Sequence, residues 1–207
     1  QQQNYLPGVP EGSDLCITPV SSPENHYVRI KADNRLEADG TLRGTFTLTA
    51  EGQSDSNIRR IFTTGFQSEW KSTMERQLLT ISPKARLLSV DYGKNPKDYQ
   101  AAPIKITFRY EIPDYALKGE GEMFFRPMVM NNLYNQVRSY LRIDTSVENR
   151  KYGFKDGCSR LVELDEMIQL PAGYKLVNAA KNEMMQGVGA DFEGSLTQKG
   201  NKVLLHN

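Results

Sequence analysis

The chain has 207 residues with 26 Lys and Arg against 25 Asp and Glu, so the net charge is only +1 and no strong field points to nucleic acid. Hydrophobic residues make up 38 %, enough at this length for one large domain or two small ones with a real core, and two cysteines exclude a disulfide-stapled scaffold. No apolar run approaches the roughly 20 residues that cross a bilayer as a helix, so no transmembrane segment is expected.

The first residues, "QQQNYLPGVPEG", lack the basic and apolar regions of a signal peptide. Their non-Met start, with the end at "NKVLLHN", reads as the boundaries of an excised piece. Pro7, Pro10, Pro19 and Pro23, with Gly8 and Gly12, mark residues 1–25 as an extended tether, because proline removes an amide donor and biases the preceding residue toward extended geometry. Cys16 and His26 invite reading as a thiol nucleophile with its base. Ten residues of extended chain span up to roughly 35 Å, however, and no helix N-terminus or fixed base near Cys16 lowers its pKa. Leu15 and Ile17 fit a buried, inert thiol, while His206 offers a base only from the far end of the chain. A disulfide between Cys16 and Cys158 stays open.

From His26 the pattern alternates. Tyr27–Ile30 and Thr45–Thr49 flank "EADGT", whose Asp39-Gly40 is a dipeptide that tight hairpins favour, so a β-hairpin is expected. Then Ile58, Ile61, Phe62, Phe66, Trp70, Met74, Leu78 and Ile81 recur at spacings of three and four, which predicts one long amphipathic helix over 55–81, capped by Ser54 or Asp55 and stopped by Pro83. Gly65 weakens its middle by up to about 1 kcal/mol and marks a kink or break. Beyond it, strands are expected at 85–92, 103–112, 122–130, 134–143, 161–170, 174–180, 189–196 and 201–206, separated by Gly-, Pro- and Asn-rich turns. The fold class is therefore mainly β within α+β: antiparallel sandwich-like sheets with one helix over a face or edge. Residues 26–207 form the β-rich domain, with a subdivision near 131–133 left open.

Chemical constellations are sparse. Asp114, Glu120 and Glu122 around one loop, and Asp165 with Glu166 in "VELDEMIQL", read as solvated faces rather than a carboxylate pair across a substrate. Asp33, Glu37 and Asp39 lack calcium-loop spacing, so no metal is expected. "GVGADFEG" lacks a dinucleotide fingerprint, and Gly187 and Gly189 mark a turn or bulge; no cofactor is implied. In "ENRKYGFKDG", Arg150, Lys151 and Lys155 bracket Tyr152 and Phe154, which reads as an ordinary turn and not a base-stacking site. Among the tyrosines, which include Tyr110, an aromatic platform of Tyr92, Tyr99 and Tyr115 for a sugar or peptide is the best site candidate, although core or rim packing explains tyrosines as well.

The stretches "NYLPGVPEGSDLCITPVSSPENHYVRIKADNRL", "GTFTLTAEGQSDSNIRRIF", "SPKARLLSVDYGKNPKDYQAAPIKITFRYEIPDYA" and "LDEMIQLPAGYKLV" resemble the C-terminal region of large envelope proteins of Gram-negative anaerobes. Those proteins carry an N-terminal β-domain, a transglutaminase-like cysteine-peptidase core and a C-terminal β-rich domain of unknown function. The resemblance covers nearly the whole chain and implies periplasmic or envelope location, with a Cys-His-Asp triad upstream of Gln1 and a little more chain after Asn207. No residue here matches that triad, so the chain is expected not to be an enzyme itself. The leading expectation is a non-catalytic accessory module, with residues 1–25 as the interdomain tether and the upstream core of the same chain as partner. The alternative is an independent glycan- or peptide-binding module; a free-standing hydrolase is the third.

Overall fold

A computed structural model describes residues 3–101, 103–131, 149, 151, 157–177, 182–187 and 189–207. Its centre is the expected hairpin, longer than the alternation alone indicated: β3 (Val28–Leu36) pairs with β4 (Leu42–Ala50) in register from Val28↔Ala50 to Leu36↔Leu42. The connection runs through Glu37–Thr41 rather than a two-residue turn. Gly40 adopts φ +89°, the Thr41 amide donates to Asp39 Oδ1 at 2.8 Å, and the Gly40 carbonyl accepts the Ala116 amide. A Cβ on Gly40 would stand 3.0 Å from the Ala116 carbonyl oxygen, so turn conformation and close approach both call for glycine.

Around the hairpin an eight-stranded sheet runs in the order β10-β11-β12-β9-β3-β4-β6-β5. Its further strands are β5 (Arg86–Asp91), β6 (Ile104–Ile112), β9 (Val162–Gln169), β10 (Glu183–Met185), β11 (Phe192–Lys199) and β12 (Lys202–His206). Among the described residues every pairing is antiparallel except β3 with β9, which are separated by enough chain for a crossover. Strands from both sides of residues 131–133 thus share one sheet. Residues 132 and 133 themselves, like the expected strand at 134–143 and the end of that at 174–180, lie outside the described residues.

The mainly β, α+β class is as expected, but the layering differs: the eight strands form one sheet, and its buried face is covered by helices and loops instead of a second large sheet. Period-two alternation makes that face from Val28, Ile30, Ala32 and Leu36, Phe46 and Leu48, Ile106, Phe108 and Tyr110, and Leu164 and Ile168. The outer face carries Arg29, Lys31, Arg43, Glu111, Glu163 and Asp165, joined by ion pairs such as Arg43–Glu111 at 2.7 Å. A face this charged does not pack against a second sheet.

The long helix is two: α1 (Gly52–Thr63) and α2 (Trp70–Leu79), broken at Gly65–Phe66 and joined by a 3-10 turn at Gln67–Glu69. The stripe survives the break for Ile58, Phe62, Trp70, Met74 and Leu78, all buried, whereas Phe66 sits in the break and is exposed. Trp70 Nε1 donates to the Phe62 carbonyl at 3.2 Å, stitching the helices together. Neither Ser54 nor Asp55 is the N-cap. The helix starts earlier, after Glu51, and His26 serves from outside by accepting the Gln53 amide on Nδ1 at 3.1 Å, while Ser54 Oγ donates to the His26 carbonyl. His26→Ala should cost about 1 kcal/mol in chemical denaturation, the scale of a lost cap; no loss would show that the contact contributes nothing.

The strand expected at 122–130 also splits. Leu117–Lys118 (β7) and Met123–Phe124 (β8) form a two-stranded ribbon, and Met128–Met130 form a 3-10 turn after Pro127. The strand expected at 189–196 lies at Phe192–Lys199 and pairs with β10, which carries no clear alternation. At the N-terminus the tether folds back on itself: β1 (Asn4–Tyr5) pairs with β2 (Cys16–Ile17), and the Thr18 amide donates to the Gln3 carbonyl.

Candidate functional site

The three tyrosines of the sequence-based platform are not assembled as one surface. Tyr92 packs edge-on against Phe62 and Trp70, with ring centroids 5.6 and 5.4 Å away, as part of the layer over the sheet. Tyr99 is exposed, with the Arg59 guanidinium 5.9 Å from its ring centre. Tyr115 follows the far end of β6: Gly93, next to Tyr92, lies beside Lys105, and Tyr115 comes after Ile112, roughly 25 Å along the strand. Its hydroxyl donates to the Arg126 carbonyl and accepts from Asn131 Nδ2, so it pins a loop.

Several of the remaining candidates have structural partners. Cys16 and Cys158 are both free thiols; Cys16 Sγ faces the Asp14 carbonyl at 3.6 Å, and His26 Nδ1 is engaged with helix α1, so the two do not work as a dyad through that nitrogen. Asp114 pairs with Lys84, Asp39 is held below the usual carboxylate range chiefly by the Thr41 amide, and Glu37 pairs with Arg35 at 3.2 Å. The Gly187 amide donates to Asp191 Oδ1 in a turn. Most of "ENRKYGFKDG" lies outside the described residues. Among the described residues, no group of three or more His, Cys, Asp or Glu gathers as a metal site.

Asp165 and Glu166, read together from the sequence as a solvated face, part company. Asp165 is on the outer face, where Oδ1 meets His206 Nδ1 at 2.7 Å. Glu166 turns inward and is only 2 % exposed. The signal was present in "VELDEMIQ": Val162, Leu164 and Ile168 share the parity of residue 166, so alternation places Glu166 among them. Its Oε1 accepts Asn34 Nδ2 at 2.7 Å and its Oε2 accepts the Val129 amide at 3.0 Å, with a further backbone bond from Met128. Asn34 Oδ1 in turn accepts the Tyr110 hydroxyl. One chain of hydrogen bonds thus crosses β6, β4, β3 and β9 inside the core and ends on the 3-10 turn.

Burial pushes the Glu166 carboxyl above its ordinary 4.5, against the opposing pull of its donors, and pushes the Tyr110 hydroxyl well above 10. An acid raised in the folded state contributes stability that is complete below its unfolded pKa and is lost as pH rises through the folded value. Relative to Glu166→Gln, which does not titrate, the natural protein should therefore lose stability between pH 4.5 and neutrality. Urea denaturation of both proteins at the two ends of that window reads the difference; an unchanged gap would mean that Glu166 is not raised.

Beside this network lies a cavity of about 570 Å³. Its floor is the sheet, through Leu36, Leu196 and Val203, and Leu170 just beyond β9; the β7–β8 ribbon with Phe125 and Pro127 makes one wall and residues 171–177 the other. The Glu166 network holds the turn that follows Pro127, and so fixes the first wall. No known family, curated protein or solved structure matches the chain.

The cavity is the main feature that the sequence did not reveal. Its walls come from segments about 50 residues apart, and the only legible trace was the apolar character of "MFFRPMV" and "LPAGYKLV". Among the described residues, no helix is long and apolar enough to cross a membrane.

Proposed function

We propose that this chain is a non-catalytic accessory module of a larger transglutaminase-like envelope protein, one that packs on or shapes the cleft of the upstream core. The observation that carries the reading is the N-terminal ribbon. Leu6, Leu15 and Ile17 are 67, 64 and 63 % exposed, and Tyr5, Val9 and Val20 stand out with them. Single exposed apolar side chains are ordinary, but six within sixteen residues are dense enough to favour an interaction surface, with the β1–β2 register setting Tyr5 and Ile17 on opposite faces of the ribbon. The ribbon closes on itself through β1 and β2 and leaves those side chains outward, as a tether lying on a neighbouring domain would need. The resemblance of the quoted segments to the regions after transglutaminase-like cores supplies the neighbour.

An antibody raised against this chain, used on fractions of the native organism, tests the proposal. A band much larger than 23.5 kDa in the envelope fraction is expected. A band near 23.5 kDa alone would overturn the accessory reading. It would favour the second reading, an independent binding module, which has its own support in the cavity between the β7–β8 ribbon and residues 171–177.

A further inference from the structure

We infer that this cavity is a binding site for a single aliphatic chain, carried by a molecule whose polar head remains at the rim. The inference does not depend on whether the module serves a larger protein. About 570 Å³ falls within the roughly 300–1,000 Å³ of small-molecule sites. The lining decides the chemistry. Met123, Phe125, Leu176, Leu196 and Val203 line the apolar part of this open cavity, and Tyr174 brings the only uncharged polar side chain of its lining. A sugar or nucleotide placed there would find few side-chain partners for its hydroxyls and would depend on backbone groups to satisfy the rest. A hydrocarbon chain has no hydrogen bonds to lose and gains with each methylene that it buries against these side chains.

The charged lining residues, Lys175 and Glu122, are both exposed and stand on opposite walls, so they meet a head group and not the chain. Phe124, 60 % exposed, and Val177, 74 % exposed, belong to the same two walls and give the entrance an apolar lip. The floor is continuous with the core, since Leu36 and Val203 are fully buried members of it. The site is thus built into the fold and has a route to solvent.

Dansylaminoundecanoic acid, titrated below its micellar concentration into the full chain, is the probe. Saturable emission at one equivalent, displaced by dodecanoate, is the expected result. Phe124→Asp and Val177→Asp, which alter exposed side chains and leave the fold intact, should each weaken binding about tenfold or more by setting a charge at the lip. Leu196→Trp, which fills the interior, should abolish it. A second arm uses phosphatidylglycerol vesicles: flotation with vesicles that Leu196→Trp prevents, without uptake of the free acid, would support the same site with a membrane lipid as the source of the chain. Binding in neither arm, equal binding by all three variants, or displacement by an apolar peptide but not by dodecanoate would overturn the inference.

Discussion

Arg59→Ala is expected to destabilise the protein by about 3–5 kcal/mol, the usual cost of removing one partner of a buried ion pair. Arg59 is 1 % exposed on α1, with Nε 2.7 Å from Asp55 Oδ2 one turn earlier. The guanidinium also donates to the Pro96 and Asp98 carbonyls at 3.1 and 2.7 Å, gathering the segment between β5 and β6 against the helix. Asp55 is itself a junction, since its Oδ1 accepts the Ile104 amide at the first residue of β6. Truncation would leave a partly buried carboxylate without its cation and several carbonyls without a donor, so the loss exceeds that of one surface pair, about 0–1 kcal/mol. For a chain of this length each kcal/mol moves the melting temperature by about 2–4 °C, so a fall of about 10 °C should be seen in thermal denaturation. Lysine at this position should rescue little, because an ammonium does not present a planar fork to the Asp55 carboxylate and the two carbonyls together. A fall of less than about 2 °C would show that the cluster is incidental.

Gly44→Ala should cost about as much, for a different reason. Gly44 lies on the inner face of β4, between Asn34 on one side and Tyr110 on the other. The Tyr110 hydroxyl reaches Asn34 across this strand only because position 44 has no side chain. An added Cβ would overlap Asn34 Oδ1 and the Asp33 carbonyl and stand 2.9 Å from Asn34 Cα; strand pairing holds the two backbone atoms, and hydrogen bonds to Tyr110 and Glu166 hold the Asn34 side chain. Overpacking costs about 1–3 kcal/mol. Each buried polar group that loses its partner adds about 1–3 kcal/mol. Urea denaturation of Gly44→Ala, Tyr110→Phe and the double variant separates the two parts. The double variant should cost less than the sum of the singles, because its crossing hydroxyl is already gone. Strict additivity, or a cost below about 1 kcal/mol for Gly44→Ala, would sink this account.

Glycine in "RGTFTLTA" illustrates the limit of local reading. Within the strand it looks like a residue of poor β propensity. Its purpose depends on which side chains the neighbouring strands bring to either side of it. Glu166 is similar: its inward direction was legible from parity, but its partners on β3 and in the 3-10 turn were not. Of the eight positions of the helix stripe, five are buried, Ile61 and Ile81 are half-buried, and Phe66 fails, where the break at Gly65 lets the chain turn the ring outward. The tyrosine platform is not assembled, because closeness in sequence is not closeness in space: a nine-residue strand separates Tyr115 from Tyr92 and Tyr99.

The sequence by itself determined the local elements: the hairpin at Asp39-Gly40, the alternation that divides inner from outer face, the helical stripe and its weak point at Gly65. These follow from periodicities of two and about 3.6 and from the backbone freedom of single residues, which neighbours along the chain suffice to express. Only the tertiary structure decided that β9 lies parallel to β3, that one sheet and not two forms the body, that Arg59 and Glu166 are buried among specific partners, and that a cavity opens between two loops. Each of these depends on contacts between residues tens to more than a hundred positions apart, and their energies arise only when burial, hydrogen bonding and shape are satisfied together.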